Sequence, residues 1–407
     1  MRILMLTHRL PFPPTTGDKV RAYHVARHLA ERHDLTLAFL MDEPGSAAAL
    51  SDLTAKIPDL VHASANGSRR GRLLSALSLL RGVSATMTYF DSATFRSEIR
   101  QRVARERFDL VYVHSSSMAQ YLDILPPDVP VVMDFVDVDS EKWQEYGRTM
   151  PPPLRWAYQA EARQLQTHER KAAARASRSL VVTDEERAVL ERTTGWTTTT
   201  VVPNGVDLEY FARPAFPSDR PVVVFTGAMN YPPNVEGACW FAERVLPRVR
   251  AVVPAASFVI AGKDPVRRVR RLAALPGVVV TGTVPDIRPY LHEAAVAVSP
   301  LRIARGVQNK ILEAMATALP VVATPAAHRG LLARPSTDLL VAETSEQLAD
   351  AVTALLQAPA QRRAIGDAGR RFVETHHAWP ACLAMIDAVL AQAVATRITP
   401  PMVAERA

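Results

Sequence analysis

Short runs of consecutive apolar residues recur along the whole chain, separated by longer stretches of mixed polarity. Residues 1–8, 35–40, 60–63, 109–114, 130–135, 179–183 and 197–202 read as strands. So do residues 221–226, a run ending near Ile260, and residues 278–280, 294–298, 321–323 and 339–342. Strands apolar on both faces are what a parallel sheet covered by helices on each side requires. Helical spacing fills the stretches between them. One helix carries Val20, Tyr23, Leu29 and Ala30, with Thr15 or Thr16 as its cap. A long charged helix fills much of 148–178 after the break at Pro151-Pro152-Pro153, and another starts at Asp184. One contains Trp240, Phe241 and Val245, with Asn234 placed to cap it. Others cover 307–318, 345–358, 361–375 and 380–395. Alternating strand and helix predicts an α/β fold. The opening pattern of strand, Pro-Pro loop and helix at residues 1–30 returns from Pro221 onward, through Pro232-Pro233. The chain therefore reads as two doubly wound, Rossmann-like domains in tandem.

At 407 residues the chain is long for one core, which agrees with two domains. The expected divisions are an N-terminal domain at 1–212 and a polar, Pro-rich linker at 213–220. A C-terminal domain at 221–375 and a last helix at 376–407 complete the chain. Two distant cysteines, Cys239 and Cys382, make neither a disulfide framework nor a metal spacing and suit a reducing compartment. The first strand is too short for a signal-peptide core, and no apolar run is long enough to span a bilayer. A net charge of +7 and a pI near 9.6 favour anionic partners: nucleotide, nucleic acid or anionic lipid. No zinc-finger, RNA-recognition or helix-turn-helix pattern is present, so nucleic acid is the weakest of these.

The richest chemistry lies at 294–323. There a strand runs into a loop with Arg302, Arg305 and Gly306, then into a helix opening near Val307, then into a second strand after Pro320. In such units ligands bind beyond the strand ends, where helix N-termini present free N–H groups and the positive end of the dipole. Gln308, Asn309 and Lys310 share that corner. Lys310 and Glu313, three apart, share a helix face. A cation there suits phosphate and a carboxylate suits sugar hydroxyls. The same pair would also serve as an ordinary surface Lys–Glu pair.

The run from Gly306 to Glu313, with Ala314-Met315-Ala316 and Pro320-Val321-Val322, resembles the donor-site motif of glycosyltransferase family 4, the retaining GT-B enzymes. The string Pro203-Asn204-Gly205-Val206-Asp207, with Phe211 after it, resembles that family's interdomain passage. The resemblance implies two Rossmann-like domains facing each other across a cleft, and a last helix crossing back to the first domain. It implies a nucleotide-sugar donor, a glycan or lipid-linked acceptor, and front-face displacement with retention, the leaving phosphate taking the acceptor's proton. Glu313 matches the second Glu of the family's Glu–x7–Glu motif, which is implied to hold the ribose. Arg305 stands where the first Glu usually sits and Gln308 replaces a usual Gly, so the rule for holding the donor sugar does not carry over. The run from Arg305 to Glu313 is similar to a sub-branch associated with exopolysaccharide and exosortase systems.

The resemblance gives further positions roles. Gly17 stands where a glycine loop faces the diphosphate and acceptor; the bare sequence reads it equally as a plain turn. His114 matches an N-domain histidine near the donor sugar. Thr283 lies in the turn against which the base is implied to rest. No Arg or Lys occurs between Gly227 and Trp240, where the family often places diphosphate ligands, so Lys263, Arg302 or Lys310 would take over. The expected catalytic set is His114, Lys310 and Glu313. The expected donor-binding set is Gly17, Lys263, Thr283, Arg302, Arg305, Gly306, Val307, Gln308 and Asn309. No metal or cofactor is expected, the nucleotide-sugar being a co-substrate. Residues 69–81, with Arg69, Arg70, Arg72 and Arg81 around a leucine stripe and no acid, read as a basic amphipathic helix for an anionic membrane, or else as a core-facing helix. The expected location is the cytoplasm, with that helix as a peripheral contact at the inner face of the plasma membrane.

Three rivals stand beside this reading. A sugar-nucleotide epimerase shares the fold. A metal-dependent GT-A enzyme would use Asp137 and Asp139, although Asp139 or Ser140 more simply caps the helix into Trp143. A non-enzymatic two-domain sugar-binding protein is the third. The paired His376-His377 reads as a helix junction.

Overall fold

The computed structural model describes residues 1–41, 47–65, 75, 77–215 and 218–395. Most of the sequence-predicted basic helix at 69–81, part of the linker and the last residues of the chain lie outside these. Among these, two compact units form: 1–202 together with 383–395, and 203–382.

The first unit holds a seven-stranded parallel sheet. Its strands are β1 (Arg2–Thr7), β2 (Asp34–Met41), β3 (Leu60–Ser64), β4 (Leu110–His114), β5 (Val131–Val136), β6 (Arg178–Val181) and β7 (Thr199–Val201). Their order is β3-β2-β1-β4-β5-β6-β7. The second unit holds a six-stranded parallel sheet of β8 (Val222–Thr226), β9 (Ser257–Ala261), β10 (Val278–Gly282), β11 (Val296–Ser299), β12 (Val321–Ala323) and β13 (Leu340–Val341), ordered β10-β9-β8-β11-β12-β13. In both, the chain winds outward one way from the first strand and then returns to wind the other way. Each unit therefore has a switch point between its first and fourth strands, where loops diverge and leave a crevice at the strands' C-terminal ends. Thr7 pairs with His114 there in the first sheet.

The apolar runs explain the sheets. Ile3, Leu4, Met5 and Leu6 are all buried, as are Val222 to Phe225, and such strands are stable only between helical layers. The first core gathers Leu4, Leu6, Val111, Val113, Val131 and Met133 with Phe95 and Ile99 of helix Ala93–Arg105.

Several local expectations change. The long charged stretch forms two helices, Asp139–Thr149 and Leu154–Arg175, divided where Pro151 to Pro153 break the hydrogen-bond ladder. Neither Asp139 nor Ser140 caps the first of these. Both lie inside it, and the buried Glu169 carboxylate accepts from the Ser140 amide (3.0 Å) and hydroxyl (2.5 Å) instead. Thr16 holds the N-cap position of helix Gly17–Arg32 without a side-chain cap bond. Helix Pro359–His376 ends at the paired histidines, and His377 Nδ1 lies 2.8 Å from the Asn204 carbonyl oxygen. Among the described residues no helix is long and apolar enough to cross a membrane.

Candidate functional site

The switch point of the second sheet lies between β8 and β11. Beyond β8 the chain turns at Gly227, and beyond β9 at Gly262. These two turns are in direct contact: a Cβ on Gly262 would overlap the Gly227 carbonyl oxygen. The Met229 amide donates to the Lys263 carbonyl (2.8 Å) and the Gly227 amide to Ala261 (3.1 Å), locking the two loops together. The Asp264 amide reaches the Thr283 hydroxyl at 3.4 Å. Lys263 and Thr283 thus lie on adjoining loops at the C-terminal ends of β9 and β10.

Beyond β11, residues 300–308 form the loop that the sequence marks as chemically rich. It rests on helix Pro232–Trp240, where Gly237 leaves only enough room for the Pro300 carbonyl; a Cβ there would come within 2.8 Å of that oxygen. Gly306 takes a left-handed conformation (φ 60°) that a side chain would strain. The Gln308 amide nitrogen Nε2 donates to the Arg305 carbonyl (3.0 Å) and closes the turn. Helix Asn309–Ala316 follows, two residues later than the periodicity predicts. Gln308 is its N-cap residue, and no side chain satisfies the cap. The Ile311 amide turns back to the Gln308 carbonyl (2.8 Å); the foremost amides of a helix are the ones that can face a ligand.

Lys310 stands at that N-terminus. Its Nζ donates to Asn234 Oδ1 (3.1 Å) and Gln308 Oε1 (3.4 Å), with the Phe225 ring centroid at 5.6 Å. Asn234 corrects the sequence reading. The helix it was expected to cap starts earlier, at Pro232, so Asn234 sits in the first turn. There its Nδ2 donates to the Ala228 carbonyl (2.9 Å) and its Oδ1 positions Lys310. Burial pushes the Lys310 ammonium down to about 8, against the pull of Glu313. Burial pushes the Glu313 carboxyl up to about 7, with Lys310 opposing. Each would be more fully charged beside a complementary ligand. Asn309 Oδ1 accepts from Asn204 (3.2 Å), while its buried Nδ2 finds no hydrogen-bond partner among the described residues. Asn204 belongs to the Pro-Asn-Gly-Val-Asp string, so that string and the basic corner meet within one unit. Arg302 is exposed on the loop; Arg305 is half-buried, and Gly306 and Val307 are buried. Lys263, Thr283, residues 302–309, Lys310 and Glu313 therefore lie on the loops and helix start at the strands' C-terminal ends.

Gly17 and His114 belong to the first unit. Gly17 opens its helix in an exposed position. His114 ends β4, buried, with its ring stacked near that of His8 (centroids 6.0 Å apart) and its Nδ1 3.4 Å from Asp134 Oδ2. Asp134 also accepts from Tyr112 Oη (2.6 Å) and Arg21 Nε (2.7 Å), and Arg21 donates to the Val202 carbonyl (2.9 Å). Burial would raise the Asp134 carboxyl; Arg21 and His114 more than reverse this and hold it well below the usual carboxylate range. Sequence reasoning missed this set. Its signal was an acid inside an otherwise apolar strand, since a buried charge persists only when paired. Asp139 accepts from Ser116 Oγ (2.7 Å). Among the described residues no group of three or more His, Cys, Asp or Glu side chains could hold a metal ion.

Residues 16–210 match the family described as Glycosyltransferase Family 4, and residues 220–358 match Glycosyl transferases group 1. No curated protein matches the chain in sequence. Solved structures share its fold. Sucrose-phosphate synthase from Thermosynechococcus elongatus superposes with a TM-score of 0.74 at 17% identity, covering 97% of this chain and 100% of that one. Anabaena HepE in complex with UDP and glucose gives 0.68 at 15%, covering 96% and 99%. A TarM variant from S. aureus, in a complex that includes UDP, gives 0.71 at 10%, covering 96% and 99%.

Proposed function

We propose that this GT-B glycosyltransferase, a family 4 domain joined to a group 1 domain, moves a sugar from a UDP-sugar to a saccharide or lipid-linked saccharide with retention of anomeric configuration. The observation that carries the donor assignment is Lys310, held by Asn234 and Gln308 at the uncapped start of helix Asn309–Ala316. Breaking the bond between sugar and diphosphate develops negative charge on the leaving oxygen. Preorganised cations and N–H donors at that point lower the barrier. Lys310, the first amides of the helix and Asn309 Nδ2 supply such donors, with Lys263 and the loop arginines beside them. We propose that these take the charge without a divalent metal.

Glu313 is assigned to the ribose hydroxyls, which a carboxylate accepts from in pairs. The base is assigned to the turn at Thr283. In the first domain, His114 is assigned to the sugar; its Nδ1 faces Asp134, which leaves Nε2 as its other polar contact. The leaving phosphate receives the acceptor's proton, so the pair of carboxylates that a glycosidase needs is not required. UDP is the nucleoside diphosphate named for HepE and for the TarM variant, and we extend it to this chain. The run from Arg305 to Glu313 supports an acceptor in exopolysaccharide synthesis. A nucleotide donor and two buried cysteines outside any disulfide fit a cytoplasmic site of action, peripheral to the membrane.

The test is thermal stabilisation by UDP, GDP, ADP and their sugars, with EDTA or Mn²⁺, on wild type, Lys310→Ala and Glu313→Ala. Retention is read from the anomeric configuration of the product by NMR. Stabilisation by UDP in EDTA, lost in both variants, is expected. A shift untouched by both substitutions would overturn the site. Epimerised donor released without acceptor would assign an epimerase, and stabilisation by free sugar alone a binding protein.

A further inference from the structure

Within the second unit, residues 204–206 are tied to residues 377–379, where helix Pro359–His376 gives way to helix Trp379–Ala395. The Asn204 carbonyl faces His377 Nδ1 at 2.8 Å, and the Val206 amide donates to the His377 carbonyl (2.7 Å). Val206 and Ala378 form a parallel bridge. Gly205 lies against the Trp379 ring, and a Cβ there would overlap its Cδ2. His377 and Trp379 are buried, and burial holds the His377 imidazole below its usual pKa. A neutral imidazole has one N–H, and beside a carbonyl the proton belongs on the facing nitrogen. His377 Nδ1 therefore donates to Asn204. These contacts fix the backbone from the Asn204 carbonyl to the Val206 amide, and the Asn204 side chain is buried with it.

That anchored side chain reaches the first residue of helix Asn309–Ala316: Asn204 Nδ2 donates to Asn309 Oδ1 (3.2 Å). A primary amide is planar, with an acceptor oxygen on one branch and two N–H groups on the other. Fixing Oδ1 therefore fixes the direction of Nδ2. Asn309 Nδ2 is buried and makes no hydrogen bond among the described residues, although a buried N–H without an acceptor is costly. It stands beside Lys310 at a helix start that no side chain caps. A helix N-terminus with an ammonium favours an anion. An amide nitrogen suits that anion. With the opposite polarity, Asn309 would turn an oxygen toward the oxygens of the ligand, and two acceptors repel.

We infer that Asn204 is a positioning residue for the nucleotide: it holds the Asn309 amide with its nitrogen toward the phosphate groups, and residues 377–379 hold Asn204 in place. This rests on the donor-site reading given above and deepens it. Asn204 acts through Asn309 and needs no contact of its own with the ligand. His377, the second of the histidines that sequence reads as a helix junction, gains a share in the site. Asn309 and His377 lie 105 and 173 positions from Asn204 along the chain.

The experiment is calorimetric binding of UDP and of uridine to the full chain. It compares wild type, Asn204→Ala, Asn204→Leu, Asn309→Ala, Lys310→Ala and the two double variants that join an Asn204 substitution to Asn309→Ala. Asn204→Leu keeps the volume of the buried side chain, so the test does not depend on Asn204→Ala folding. Each single substitution at Asn204 or Asn309 is expected to weaken UDP binding roughly tenfold, the scale of one hydrogen bond to a charged group. In the double variants no further loss is expected, because no amide remains to be oriented. Uridine, which has no phosphate, should bind all of these equally. Losses that multiply in the double variants would overturn the positioning role. So would UDP affinity unchanged in both Asn204 variants, or an equal loss for uridine. UDP binding that needs Lys310 but not Asn204 would sink this inference alone. A wild type that does not bind UDP, or binds it regardless of Lys310→Ala, would sink the donor site and this inference with it.

Discussion

Lys310 shows how far its surroundings can change the character of one side chain. An ammonium on a surface helix is an ordinary feature. Here it is drawn among Phe225, Asn234 and Gln308, and burial brings its titration down to about 8. A diphosphate would restore its charge, so nucleotide binding and protonation are linked. The Kd for UDP, measured by calorimetry from pH 6 to 9.5, should therefore rise once the pH passes about 8. In Lys310→Arg that rise should vanish, because a guanidinium does not titrate in this range. Lys310→Ala should lower kcat/KM by roughly 100-fold or more, the scale of removing one charge-stabilising donor. In the first domain, Asp134→Asn would leave Arg21 buried without its anion. The expected loss is about 3–5 kcal/mol in chemical denaturation, the scale of a broken buried pair. That Lys310 and Glu313 share one short helix after a strand-end loop was legible from their spacing. Asn234 was misread, because a helix that begins with Pro232 at its first turn turns a cap candidate into an inward-facing partner of Lys310 and Ala228.

At the scale of elements, the site depends on how closely two strand-end loops and one helix can approach. Gly262 and Gly227 touch through backbone atoms, and Gly237 receives the Pro300 carbonyl. Gly262→Ala should cost roughly 2–3 kcal/mol, as substitutions that force backbone apart do, and should be visible as a lowered melting temperature. Gly237→Ala acts on the 300–308 loop rather than on the sheet. Its expected signature is a raised KM for the donor with a smaller change in stability. Strands and helices were largely readable from apolar runs and helical spacing, because burial between layers demands those patterns. The caps of helices Asp139–Thr149 and Pro232–Trp240 were not. Glu169, some thirty residues away in sequence, takes the capping role at the first, and local pattern cannot register a partner that distant.

At the scale of the molecule, the chain is two compact units, each with its own parallel sheet and switch point. The basic corner proposed to hold the donor lies within one of them. Two-state unfolding is then not expected, and scanning calorimetry should resolve two transitions. UDP at about 100 times its Kd should raise the transition of the unit at 203–382, by roughly 2.7 kcal/mol of linkage, and leave the other in place. A uniform shift of both transitions would instead assign nucleotide contacts to both units.

The amino-acid sequence by itself determined the α/β class, the tandem repetition of a strand–loop–helix opening, and the basic corner after β11. These follow from periodicity, charge and turn chemistry, all of which act over a few neighbouring residues. Tertiary structure decided what those residues meet. It set Asn234 against Lys310, Asn204 against Asn309, Arg21 and Tyr112 against Asp134, and Glu161 against the segment that carries Val83. Each of these pairs joins residues from 22 to 113 positions apart. Only the winding of the sheets brings such groups within hydrogen-bonding distance, because hydrogen bonds and ion pairs depend on separation in space and not along the chain.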